Sequence, residues 1–112
     1  MAAVANLSID QGATFTSDIT VKDINGNVFD LTGYTAVAKL AKGYSSTRTR
    51  TAMTTTFATD RTTGVLTISL TANQTTALDA ERHVYDVEIT SSTGSVTRVL
   101  EGIITVRPEV SV

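Results

Sequence analysis

The sequence predicts an all-β fold, an antiparallel β-sandwich of about seven strands with one short helical corner. Three observations lead there. Threonine is the commonest residue, 22 of 112, and β-branched side chains fit a pleated sheet better than a helix. Apolar and polar residues alternate with period two wherever a pattern exists. Turn residues separate these segments at short intervals, with long connections concentrated in the middle of the chain, which favours a sandwich over a closed barrel.

The clearest stretch runs from Gly64 to Val106. Leu66, Ile68 and Leu70 alternate with Val65, Thr67 and Ser69, so one face of a strand is buried. Thr71-Ala72-Asn73-Gln74 then has the spacing of a capping box, in which a hydroxyl and an amide side chain satisfy each other's backbone N–H. A helical corner follows, with Leu78 turned inward. Tyr85, Val87 and Ile89 next point one way, and Asp86, Glu88 and Thr90 the other. Ser91-Ser92-Thr93-Gly94 makes a hairpin turn, after which Val96, Leu100, Ile104 and Val106 resume the inward set. Gly102 is in phase with them but has no side chain, which marks a bulge or a close backbone approach. Pro108 has no N–H to give a ladder and ends the last strand at Arg107.

Upstream, residues 1–12 alternate weakly, as a short edge strand or an arm laid on a neighbour would. Phe15, Ser17, Ile19 and Val21 share one face of a strand, with Thr16, Asp18 and Thr20 on the other. Asn25-Gly26 tolerates two positive φ values, so a tight reversal is expected before Val28 and Phe29. From Thr35 to Leu40 the residues Ala36, Ala38 and Leu40 face the core. Between Ala41 and Thr63 the composition turns to Thr, Ser, Arg and Gly. There Met53, Thr55 and Phe57 form one face of a strand in an exposed hairpin arm spanning 41–63. Tyr85, at the start of a strand just after the corner, sits where sandwiches tie a tyrosine hydroxyl back to corner backbone.

A chain of 112 residues suits one domain, residues 1–112, burying roughly 65% of the surface of its unfolded form. Without cysteine it has neither disulfides nor thiolate metal sites, as suits assembly in a reducing cytoplasm. Its start lacks the basic and apolar regions of a signal peptide, and no apolar run reaches membrane-spanning length. A net charge of −2 argues against direct nucleic-acid binding, which needs a concentrated positive face. The charge is uneven, however. Lys39, Lys42, Arg48, Arg50 and Arg61, opposed only by Asp60, give residues 39–61 a local charge of +4 against −6 elsewhere. With Tyr44 beside them, these five cations are the candidate partner-interface residues.

Catalytic constellations are weak. His83 is the only imidazole, so histidine metal clusters are excluded, and its place after the corner reads as surface. Asp86 and Glu88 read as neighbours on a solvated strand face rather than an acid pair across a cleft. Asp23, Asn25, Asn27 and Asp30 gather oxygen ligands, but the glycine offset and the missing closing glutamate fit a hairpin better than a calcium loop. Single glycines build no phosphate-binding loop. The residues therefore point to a non-enzymatic protein with no cofactor.

The blocks Gly64-Val65-Leu66-Thr67-Ile68-Ser69-Leu70-Thr71-Ala72, Tyr85-Asp86-Val87-Glu88-Ile89-Thr90 and Arg98-Val99-Leu100-Glu101-Gly102-Ile103-Ile104-Thr105-Val106 carry a family resemblance. So does Asp23-Ile24-Asn25-Gly26-Asn27-Val28-Phe29-Asp30-Leu31-Thr32-Gly33-Tyr34-Thr35-Ala36, upstream. Together they resemble small immunoglobulin-like virion structural proteins of tailed bacteriophages, of the T4-like cyanophage type. They are similar, more distantly, to the N-terminal domain of phage baseplate upper proteins. The resemblance implies an immunoglobulin-like sandwich located in the virion and assembled in the host cytoplasm, with no catalytic residues to carry over. The expected role is a capsid decoration or cement protein, present in many copies or as a homo-oligomer, whose partner is the major capsid protein. A baseplate or tail-fibre adaptor docking on a baseplate or tail protein is the first alternative. A carbohydrate- or receptor-binding module is the second, with Tyr34, Tyr44 and Tyr85 as its few aromatic platforms.

Overall fold

The alternation in the sequence becomes one curled, mixed β-sheet shaped as a half-barrel. The structure, a computed structural model, describes residues 3–45 and 48–110. Its strands are β1 (Ala3–Val4), β2 (Leu7–Asp10), β3 (Phe15–Thr20), β4 (Thr35–Ala41), β5 (Thr51–Phe57), β6 (Val65–Leu70), β7 (Arg82–Thr90) and β8 (Val96–Arg107). A 3-10 turn covers Arg61–Thr63, and a short helix, α1, covers Ala72–Thr76. Across the sheet the order is β1-β8-β7-β4-β5-β6-β3, with β2 continuing β1 along β8.

Two features depart from a purely antiparallel pair of layers. First, β1 and β2 run parallel to β8, in register from Ala3 opposite Leu100 to Asp10 opposite Arg107. The N-terminal segment is thus a strand of this sheet. Second, β5 belongs to both halves of the curl: Thr51 to Met53 pair with β4, and Thr54 to Phe57 pair with β6. The strand expected in a projecting arm at 41–63 therefore lies in the middle of the sheet with Met53 buried, and residues 42–45 and 48–50 lie outside the strands. Residues 46 and 47 of that arm lie outside the described residues.

The curl has a covalent cause. β2 and β3 occupy opposite ends of the strand order, yet only residues 11–14 join them. Five extended chain steps reach at most about 18 Å, so the two edges must come together. The crossing is held by side chains. Gln11 Nε2 donates to the Leu78 carbonyl at 2.8 Å, and its Oε1 accepts from the Glu109 N–H at 3.2 Å. Thr75, fully buried, accepts from the Gly12 N–H at 3.0 Å while its hydroxyl lies 2.9 Å from the Ala13 carbonyl.

Local expectations hold along β6, α1 and β7 from Tyr85 onward. Leu66, Ile68, Leu70, Val87 and Ile89 are fully buried and form the centre of the core with Ile9, Leu31, Leu40 and Ile104. The capping box is present in both directions, Gln74 N–H to Thr71 Oγ1 at 3.2 Å and Thr71 N–H to Gln74 Oε1 at 2.8 Å. Leu78 is buried as expected. The β7–β8 hairpin turns at Gly94, and its register shifts at Val87/Glu88. Beyond that bulge Val96 faces solvent, 58% exposed, contrary to the inward phase expected for it. One extra residue in a strand reverses the face of everything past it.

The 21–34 excursion packs on the 3-10 turn. Val21 N–H donates to the Gly64 carbonyl at 2.8 Å, Phe29 N–H to the Val21 carbonyl at 2.9 Å and Leu31 N–H to the Arg61 carbonyl at 2.9 Å. Its tip reverses with Gly26 alone at positive φ, so Asn25 does not take the second left-handed position. The Gly26 N–H donates to the Asp23 carbonyl at 3.0 Å, the pattern of a type I turn closed by a left-handed glycine.

Candidate functional site

The 42–50 loop joins β4 to β5 at the open end of the half-barrel, and it gathers most of the candidate interface residues. Arg50 closes the loop on itself. Its Nη1 donates to the Ser45 and Arg48 carbonyls, each at 2.8 Å, and its Nη2 to the Tyr44 carbonyl at 3.1 Å. Loop carbonyls without strand partners need donors, and a forked guanidinium supplies several at once. Lys42 bridges to the Asp79 carboxylate and lies 3.7 Å from Glu81. Asp79, and to a lesser extent Glu81, raises the Lys42 ammonium above its ordinary range, and Lys42 in turn holds Asp79 below its own.

The basic segment is thus less free than its local charge suggests. Lys42 is neutralised and Arg50 is occupied. Arg61 lies at the far end of β5, away from the loop. Its guanidinium stacks 4.1 Å over the Phe57 ring and donates to the Tyr34 carbonyl at 2.9 Å, beside the edge-to-face pair of Phe29 and Tyr34. It is a packing residue rather than part of a common surface. Lys39 and Arg48 form no ion pair among the described residues. Tyr44, 70% exposed, lines with Lys39 and Arg50 a shallow groove on the outer face of β4 and β7.

Beneath the loop, the mouth of the half-barrel holds a cavity of about 460 Å³. Leu40, Ala41 and Leu78 supply its apolar wall, and Lys42, Arg48, Thr49, Thr51, Asp79 and His83 its polar one. His83 departs most from expectation. It is 4% exposed, on the inward face of β7, in phase with Tyr85 and Val87. The sequence carried that signal, because His83 continues the period-two series backwards from Tyr85. Its polarity and its place beside Arg82 suggested surface instead. Nε2 lies 3.0 Å from the Asp79 carbonyl, and since a carbonyl only accepts, Nε2 carries the proton. Nδ1 is buried with no hydrogen-bond partner among the described residues.

Elsewhere, Asp23 spends its Oδ1 on the Asn25 and Asn27 N–H groups at 2.9 and 3.0 Å, which is turn architecture rather than a calcium loop. Asp86 lies 3.4 Å from Arg98 on the sheet's outer face, with Glu88 on the same face. Among the described residues no group of three or more His, Cys, Asp or Glu side chains is placed to hold a metal ion. Nor is any helix among them long and apolar enough to cross a membrane.

No protein-family model and no curated protein sequence matches this chain. Among solved structures it is similar to an internalin-like protein of Listeria monocytogenes, with 18% identity and a TM-score of 0.49. The match covers 95% of this chain but only 28% of that one, so the chain spans little more than a quarter of its length.

Proposed function

We propose that this chain is a non-enzymatic structural protein of a tailed-bacteriophage virion, an immunoglobulin-like module that docks in many copies on the assembled shell as a decoration or cement protein. The family resemblance supports this reading through the positions on which it falls. Its blocks occupy β6 with the helical corner, β7, β8, and the Asn-Gly turn leading into β4. Core strands and a surface turn are therefore both alike. The strand order supports the immunoglobulin-like part. Strands β4, β7 and β8 neighbour one another as C, F and G do in that sandwich, and β6 and β3 pair as E and B do, with β5 joining the two halves.

The observations that carry a docking role are exposed Tyr44 beside Lys39 on the outer groove and exposed Arg48 on the same loop as Tyr44, with neither cation in an ion pair among the described residues. An exposed aromatic with a cation beside it fits an acidic protein surface, where rim charges set association rate and an aromatic anchor sets residence time. Many weak copies on a repeating shell then gain avidity.

Two measurements test the reading. Copy number per virion, by quantitative mass spectrometry with immunogold labelling, should give hundreds of copies over the head. A handful at the tail end would select the baseplate or tail-fibre adaptor role, and none in purified virions would end the virion reading. Rebinding of a Lys39→Glu/Arg48→Glu variant to protein-depleted heads should be slower and less salt-dependent, with an unchanged thermal melt. Arg50 is unsuitable for that variant because it holds the loop together.

A further inference from the structure

We propose that the cavity at the barrel mouth is a binding site for a small acidic sugar, a monosaccharide-sized ligand with hydroxyls and one carboxylate. The inference is independent of the virion reading. It starts from His83. A buried ring nitrogen without a partner forfeits a hydrogen bond in a setting where neither solvent nor protein replaces it, and native proteins seldom leave such an atom idle. With Nε2 engaged by the Asp79 carbonyl, Nδ1 is the ring atom left for a ligand. A hydroxyl, which can both donate and accept, suits it as a partner.

The surrounding groups extend that requirement. Thr49 and Thr51 give hydroxyls able to donate or accept, and the Asp79 carboxylate, already held ionised by Lys42, accepts further donors. Leu40, Ala41 and Leu78 supply an apolar wall for the C–H face of a ring. Arg48 lines the same cavity without an ion pair among the described residues, and a guanidinium matches a carboxylate with two parallel bonds. At about 460 Å³ the space lies within the range of small-ligand sites, which favour the mouths of curled sheets.

The chain has one histidine, so its ring nitrogens can be followed by NMR in the intact ¹⁵N-labelled protein without assignment ambiguity. The probes are D-glucuronate, with D-glucose and acetate as partial ligands. Glucuronate should shift the His83 Nδ1 resonance saturably, glucose should do so with about tenfold weaker affinity, and acetate should leave Nδ1 in place. Arg48→Ala, a change on an exposed side chain outside the core, should weaken glucuronate about tenfold and leave glucose unchanged. The proposal is overturned if glucuronate produces no saturable shift. It is equally overturned if acetate reproduces the shift, which would make the cavity a plain anion site, or if Arg48→Ala binds glucuronate as tightly as the natural chain.

Discussion

The Tyr85 hydroxyl donates a 2.6 Å hydrogen bond to the carbonyl of Ala5, 80 residues away in sequence, and so pins the N-terminal strand to the centre of the sheet. The same carbonyl crowds Gly102, the cross-strand partner of Tyr85: a Cβ added there would sit 2.1 Å from it. Tyrosine, glycine and carbonyl form one unit. Gly102 makes room for Ala5, and the aromatic ring opposite takes the place of the missing side chain. The tie expected from the sequence, to the nearby corner, is replaced by one to the chain's other end.

Tyr85→Phe removes the donor and leaves a carbonyl short of a partner. Stability should fall by about 1 to 3 kcal/mol in urea melts. Amide exchange should quicken in β1 and β2 before it does in β7, because those strands form the edge that the bond retains.

The same hydroxyl makes stability sensitive to alkali. Burial pushes the Tyr85 phenol up to about 12, from an ordinary value of 10.0. Between those two values the unfolded chain has lost a proton that the native chain keeps, so stability falls as pH rises. The contribution is intact below pH 10 and gone above about 12. Urea midpoints across this window should decline more steeply for the natural chain than for Tyr85→Phe. Parallel curves would show that the buried phenol is not the titrating group.

Gly102→Ala should cost about 1 to 3 kcal/mol by overpacking, since the group in its way is backbone and not a flexible side chain. Hydrogen exchange should show residues 3–10 released from β8 while the β7–β8 hairpin stays protected.

Gly64 and Gly26 offer a matched comparison. Both have positive φ, 74° and 84°, but a Cβ at Gly64 would meet the Val21 carbonyl at 2.8 Å and at Gly26 would meet nothing within 4 Å. Gly26→Ala should therefore cost only the left-handed penalty of about 1 to 2 kcal/mol. Gly64→Ala should add a steric cost and lower the melting temperature clearly further. Equal melting temperatures would mean that the 21–34 excursion yields freely.

Thr75→Val keeps shape and removes a hydroxyl that serves the Gly12 N–H and the Ala13 carbonyl. The half-buried Gly12 N–H and the exposed Ala13 carbonyl lose that partner, and a loss of roughly 1 to 3 kcal/mol follows. Thr76→Val is the control: the exposed Thr76 hydroxyl lies 2.9 Å from the Ala72 carbonyl within α1, and its loss should cost less than about 1 kcal/mol.

The sequence alone determined which residues face inward in β3, β4, β6 and β7, where the Asn-Gly turn, the capping box and the β7–β8 hairpin fall, and that β8 ends at Arg107 before Pro108. These are local matters, set by a period of two, by side-chain hydrogen bonds across three or four residues and by the φ freedom of glycine. Only the tertiary structure decided what pairs with what. Parallel pairing of β1 and β2 with β8, the sharing of β5 between the two halves and the hydroxyl of Tyr85 on Ala5 each join segments far apart in sequence, and no local pattern names a distant partner. The charges divide in the same way. Sequence counted five cations between residues 39 and 61. The fold then gave Lys42 to Asp79, Arg50 to its own loop and Arg61 to Phe57, leaving Lys39 and Arg48 unpaired among the described residues. His83 shows the limit most directly: its inward phase was written in the alternation, but whether a polar ring is buried depends on a carbonyl and a cavity that only folding assembles.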